Sequence, residues 1–339
     1  MTRVGLKSEK DFDKKIIAFY ENNYDVLRTP DFNDTTRLLK PEHGIKYLGC
    51  KDNKICRFCG KKEPDVTFRK IAHALPESIG NHALATYYEC DECNTFFGNK
   101  LENEYNNFFG LYHSFMQVDG KRGIPKCNFK IPCEKRTDAC AEYCVRVEIE
   151  NGNPKLSACK FVGRDYINFE ANEIRITKPV GKVCPMAVYK TIVKMTLTIL
   201  PAEELPLFQG TVKWIKADEH KMLSYPNKLL VRYSMIPGYN VTKYPHFVLF
   251  RRKKEVWNLP YLLFQLTYGC FSLLIEVPKD MSINGNNVFE TIPLPEIPFW
   301  TTHEGVWDLT SCEETKELAN SIYLYFEKSI NITDNYVKQ

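Results

Sequence analysis

Cys56-Arg57-Phe58-Cys59-Gly60, then Lys70-Ile71-Ala72-His73-Ala74-Leu75-Pro76-Glu77-Ser78-Ile79-Gly80-Asn81-His82, then Glu89-Cys90-Asp91-Glu92-Cys93-Asn94: these three runs govern how the N-terminal third of the chain folds. Each Cys-x-x-Cys offers two thiolates from one tight turn, and tetrahedral zinc takes four such ligands. Cys56, Cys59, Cys90 and Cys93 are therefore read as one structural zinc site, with Gly60 free to take the left-handed backbone that such a turn demands. The bland alternative is four free buried thiols. A redox role would need a thioredoxin-like strand and helix around a pair, and neither pair has that pattern.

Outward from this stretch, the 339 residues are 44% hydrophobic and 13% aromatic, enough for a substantial core, and 26% charged, which is ordinary for a globular protein. The formal charge of +4 and pI near 8.3 are compatible with nucleic acid but fall short of a dedicated basic module. The most hydrophobic run, Tyr261 to Val277, is broken by Gln265, Thr267, Gly269 and Ser272, so no membrane span is expected. Thirteen cysteines are an odd number, and the first residues lack an apolar export core. The expectation is a reducing cytoplasm rather than a disulfide-rich secreted fold.

Apolar spacing predicts a helix over roughly 9–22, a loop over 29–43, a strand over 66–71 and a helix from Asn94 to about Phe108. Beyond Gly120 the alternation predicts a meander of strands at 126–131, 143–149, 155–162 and 173–177. A helix over 183–200 is apolar almost all round, and a shorter one follows at 203–215. Strands are expected again at 229–234, 247–252, 261–266 and 271–277, with a terminal helix over about 313–329. The fold class is α+β. Residues 1–50 form an extension, 51–120 a compact zinc module and 121–339 a larger β-rich mixed α/β domain.

In order and spacing the quoted residues resemble HNH endonucleases of the zinc-stapled kind, which read C-x-x-C, H-x-x-P, G-N, C-x-x-C-N. The match is carried by Cys56/Cys59, His73 with Pro76, Gly80-Asn81, and Cys90/Cys93 with Asn94, over about 55 residues. The resemblance implies a ββα-metal module that hydrolyses phosphodiester bonds in DNA. Such chemistry needs a base for water and a divalent cation to neutralise charge on the phosphate. By analogy His73 is the general base, Asn81 fixes the imidazole through its backbone or side-chain carbonyl, and Asn94 is an oxygen ligand to Mg²⁺ or Mn²⁺.

Many HNH sequences carry a ligand just before the base histidine, where this chain has Ala72. Glu77 is the first candidate to replace it, with Glu102, Glu104 and His82 in reserve. The resemblance also implies an anti-phage defence effector in which residues 121–339 receive an activating protein, guide or nucleotide. Ala72 supports the alternative, a catalytically decayed zinc-containing subunit that binds nucleic acid or protein. A restriction or homing enzyme would need a recognition helix or stronger positive charge in the C-terminal part. Each role has a plainer competitor: Asn94 as a helix cap, Gly80-Asn81 as a turn and Glu77 as a solvated carboxylate. The basic run Arg251-Arg252-Lys253-Lys254 offers phosphate contacts, with a charged hairpin end the commoner reading. Cys127, Cys133, Cys140 and Cys144 match no zinc knuckle.

Overall fold

The computed structural model describes residues 5–29, 42, 44–129, 145–150, 153–158, 167–168, 173–217, 219–220, 228–235, 242–279, 288–295, 303–315 and 319–325. Helix α1 (Gly5–Asn23) leads into β1 (Tyr24–Arg28), followed by the short strands β2 (Lys46–Leu48), β3 (Ala72–His73) and β4 (Leu84–Thr86). Helix α2 (Asp91–Phe97) passes through a π-helical turn, Gly98–Glu102, into α3 (Asn103–Phe115). Strands β5 (Cys127–Phe129), β6 (Val145–Glu150), β7 (Asn153–Ala158), β8 (Ile167–Asn168) and β9 (Glu173–Pro179) precede helices α4 (Pro185–Ile199) and α5 (Gln209–Lys216). The chain then forms β10 (Leu230–Met235), β11 (Thr242–Arg252), β12 (Leu262–Gly269), β13 (Phe271–Glu276), β14 (His303–Asp308) and β15 (Ala319–Tyr325).

Six antiparallel strands make the main sheet, in the order β1-β11-β12-β13-β10-β14. Alternate residues of its central strands serve two cores, as the period of two requires. Phe264, Leu266, Leu273 and Ile275 join the large cluster that contains α3 and α4, whereas Leu263, Leu274 and Phe250 pack beneath α1 with Ile16 and Tyr20. With both faces covered, every residue of β13 is buried. Helix α4 is likewise buried at every position, which is what an all-round apolar sequence dictates.

The zinc-module residues share this core. One buried cluster runs from Cys56 and Phe58 through Phe97, Tyr105 and Phe108 to Val193, Phe271 and Leu309. Trp307 stacks on Tyr233 at 4.0 Å between ring centroids and meets Phe108 edge-on at 5.3 Å, joining α3 to the sheet. Arg57, inside the first knuckle, caps α4: its Nη1 donates to the carbonyls of Leu197, Thr198 and Leu200 at 3.0, 3.2 and 2.6 Å. The guanidinium also lies 3.5 Å from the centre of the Tyr88 ring. A cation at this end satisfies carbonyls that have no partner within the helix and complements the helix dipole.

The buried helix, β10 to β13 and β5 to β7 lie close to where the sequence puts them, β1 and β14 join the main sheet without having been expected as strands, and three expectations are corrected. Residues 66–71 do not form a strand; only Ala72–His73 does, because Thr67 Oγ1 and the amides of Arg69 and Lys70 donate to the Asp91 carboxylate instead of to a neighbouring strand. The helix after Asn94 is interrupted by the π turn and runs on to Phe115. The terminal helix is replaced by β15, in which Ile322 and Leu324 lie opposite Ile176 and Ile174 of β9. Strand β9 thereby leaves the meander, which keeps β5, β6 and β7. Most of the expected 29–43 loop, and Cys133, Cys140 and Cys144, lie outside the described residues.

Candidate active site

Cys56, Cys59, Cys90 and Cys93 place their sulfurs within 4.8 Å of one another, with Cys59 Sγ and Cys90 Sγ 3.8 Å apart. Zinc–sulfur bonds of about 2.3 Å in a tetrahedron give sulfur–sulfur edges of about 3.8 Å, so the cage fits zinc. Gly60 has φ +71°, and its amide donates to Cys56 O at 2.8 Å, closing the first turn. A hydrogen bond from Cys93 brings the Cys56 thiol down to about 4, while burial pushes Cys90 up to about 11. A divalent cation at the centre is what allows all four to be thiolates together.

Between the pairs, β3 and β4 run antiparallel, with Ala72 opposite Thr86 and His73 opposite Ala85, and the second knuckle turns the chain into α2. Asn81 is fully buried in the connecting loop. Its Nδ2 donates to Leu75 O and Leu84 O at 2.7 and 2.8 Å, and its Oδ1 accepts from the amides of Leu84 and Ala83 at 2.9 and 3.3 Å. All four bonds go to backbone and none to the imidazole of His73. Asn81 thus braces the segment between β3 and β4, which follows His73 in the chain. Helix α2 begins at Asp91 after Cys90, so Asn94 lies inside the helix rather than capping it.

A cavity of about 410 Å³ brings together His73, Glu77, Asn94, Glu102, Asn106 and His113. His73 Nε2 lies 3.7 Å from Glu77 Oε1, and Lys121 Nζ lies 3.7 Å from Glu77 Oε2. The four-residue return from His73 to Glu77 follows the Pro76 turn and the 3₁₀ turn Glu77–Ile79, closed by Gly80 at φ +88°. Burial lowers the His73 pKa, and Glu77 opposes that shift. Ile71 and His73 line the cavity, while Ala72 between them is buried away from it. An acidic side chain at position 72 would point into the core here.

The reserve candidates separate cleanly. Glu102, on the π turn, lines the cavity. Glu104 instead accepts the Cys184 amide at 2.8 Å, and His82 Nε2 is paired with Asp119 O at 2.7 Å. Asn106 Oδ1 and His73 Nδ1 are buried without a hydrogen-bond partner among the described residues. Carboxylate and amide oxygens around one cavity, one of them orphaned, fit a hard divalent cation. Lys194, Asn106 and His113 escape a sequence reading confined to the cysteine bracket. The visible signal for Lys194 is that it is one of two lysines, with Lys190, in a helix with few other polar residues.

Among curated proteins, aconitate hydratase B of Pseudomonas aeruginosa is 30% identical over 102 residues, which is 30% of this chain and 11% of that protein. The chain thus spans about a tenth of that relative's length. No solved structure matches. No helix among the described residues is long and apolar enough to cross a membrane. Residues 56–109, the stretch holding all four cysteines and His73, Glu77, Asn94, Glu102 and Asn106, match the HNH endonuclease family, and that likeness implies a nuclease acting on nucleic acid.

Proposed function

We propose that the protein is a metal-dependent HNH endonuclease that hydrolyses phosphodiester bonds in DNA. The observation that carries this reading is the single cavity in which His73, Glu77 and Asn94 meet, beside a four-sulfur cage. His73 Nε2 takes the proton of the attacking water, and burial keeps the ring neutral for that task near pH 7. Asn94 and Glu77 offer oxygen ligands. A bound Mg²⁺ or Mn²⁺ supplies charge neutralisation at the scissile phosphate and the leaving oxygen. Lys121, 77% exposed at the rim, is placed to meet a neighbouring phosphate. Asn81 holds the Leu75-to-Leu84 segment that follows His73, and the four cysteines hold the whole on zinc.

Residues beyond 121 act as a regulating or target-choosing part in this reading, supported by the packing of α4 against the α3 and π-turn segment. Placement as an anti-phage effector rests on the sequence resemblance alone.

The test is plasmid cleavage by purified protein with Mg²⁺ or Mn²⁺, comparing wild type with His73→Ala. Loss of a positioned base costs about 10²- to 10⁴-fold. Equal cleavage by the two proteins removes His73 from the base role. Inert wild type with a filled zinc site favours the decayed binding subunit that Ala72 suggests.

A further inference from the structure

Asn94 and Glu102 are eight residues apart, and an uninterrupted α-helix would turn the second about 80° away from the first. The π turn at Gly98–Glu102 absorbs one residue, so eight positions behave as seven and both side chains line the same cavity. The stripe continues with Asn106, whose buried Oδ1 has no partner among the described residues.

Behind Glu102 stands Lys194 of α4, whose side chain is 1% exposed. Its Nζ lies 2.9 Å from Glu89 Oε2 and 3.6 Å from Glu102 Oε1. Glu89 is buried and directly precedes the zinc ligand Cys90. One ammonium between two carboxylates leaves one negative charge over, and Glu102, 26% exposed against 0% for the Glu89 side chain, is the member that faces the cavity.

We propose that Glu102 is a ligand of the catalytic divalent cation, joining Asn94 and Glu77, and that Lys194 is a positioning residue that fixes this carboxylate from behind. The inference rests on the metal-dependent reading above and adds to it a device that neither the cysteine bracket nor the His73 strand contains. Without Lys194 the Glu102 side chain has three free torsions. With it, one oxygen is held and the other is left for the cation. Glu89 supplies the balancing charge, so that Lys194 anchors Glu102 without cancelling its charge. The residue that orients the ligand thus comes from the far side of the proposed domain boundary, and any movement of α4 is felt at the metal.

The experiment measures Mn²⁺ binding to the zinc-loaded full chain by electron paramagnetic resonance, with zinc content and melting temperature recorded for each protein. Glu102→Gln is expected to weaken Mn²⁺ binding at least tenfold with one zinc retained. Lys194→Met alone would strand Glu89 as a buried charge, so the positioning claim uses Glu89→Leu with Lys194→Met, an apolar pair in an apolar setting. That double variant is expected to weaken Mn²⁺ binding by roughly tenfold, as loss of an outer-shell partner does, at unchanged zinc content. Unchanged affinity in the double variant overturns the role of Lys194, and unchanged affinity in Glu102→Gln overturns the ligand assignment and everything built on it. His73→Ala separates the two levels: it should lose cleavage and keep Mn²⁺ binding. Tight Mn²⁺ binding by a wild type that cuts no DNA would sink the nuclease reading and leave this one standing.

Discussion

Replacing Arg57 by methionine tests whether the first knuckle and the buried helix form one unit. Methionine keeps much of the aliphatic stem against Tyr88 and removes only the charged head. Three carbonyls, of Leu197, Thr198 and Leu200, accept from the single nitrogen Nη1, which has two hydrogens, so the contact counts as two bonds rather than three. Hydrogen bonds to a charged group contribute about 1.5 to 3 kcal/mol each. Loss of the helix-end charge adds up to about 1 kcal/mol, and the desolvation that Arg57 no longer suffers subtracts. The expected net destabilisation is about 3 to 4 kcal/mol. It is read by urea denaturation at pH 7.5, following tryptophan fluorescence for the sheet and zinc release for the knuckle. Both probes should shift together, because the lost bonds tie the knuckle to α4, which shares one core with the sheet. A shift below about 1 kcal/mol would show that water replaces the guanidinium at little cost. Zinc release well ahead of sheet unfolding would show that the two segments are energetically separate.

Three further outcomes follow from other parts of the molecule. Cys93→Ser, or a strong chelator, should remove zinc and unfold the residues around His73, since structural zinc supplies folding energy; a well-folded protein with zinc absent by elemental analysis refutes the cage. Asn81→Ala should cost about 2 to 3 kcal/mol by leaving buried amides and carbonyls of the β3–β4 loop unpaired. Its cleavage rate should fall without any change in the pH profile, whereas a bond to the imidazole would move that profile. His113 is buried against Phe109 and paired through Nε2 with the Tyr268 hydroxyl, and burial pushes it down to about 3. The unfolded chain binds its proton below about pH 6.5, so stability is full above that pH and falls on acidification, by up to about 1.4 kcal/mol per pH unit. Urea midpoints at pH 7.5 and 5.5 should converge in His113→Phe relative to wild type, and an identical pH dependence in the two proteins defeats the argument.

What could be read in advance was what is local. Two Cys-x-x-Cys turns carry their own ligand geometry, and a helix apolar on every side announces its burial, so the cage and α4 were visible from residue types alone. The central strands of the main sheet were visible too, because they are short apolar runs of the kind that strands covered on both faces show. Residues 319–325 were not: Ile322 and Leu324 fit a strand face, yet the same short run sits within a longer segment compatible with helix, and the strand it pairs with, β9, lies about 150 residues away in the chain. Asn81 shows the same limit within the site. Its neighbours suggest either a turn or a catalytic amide, and only the positions of Leu75 O and Leu84 O make it a clamp. The π turn is the hardest case, since Gly98 marks a weak point in a helix without saying that one residue will be absorbed there.

The division of labour between zinc and the later chain follows from size. The bracketed stretch is too short to bury Phe97, Tyr105, Phe108 and Phe109 by itself, and each of these rings is buried in the cluster that holds α4 and the main sheet. A metal ion held by the four sulfurs would fix the two knuckles relative to each other, but it would leave open where α2 and α3 point. That direction is set by contacts across the chain: Arg57 on the end of α4, Glu104 on the Cys184 amide, Lys194 behind Glu102, and the Tyr105 hydroxyl on Tyr268. Three of those four involve a cavity-lining residue or one within two positions of it, so the geometry around the cavity depends on a helix and a strand that the HNH resemblance does not include. A site assembled this way would respond to a shift of α4, which carries Lys194 behind Glu102 on the carboxylate side of the cavity and not on the side of the four sulfurs.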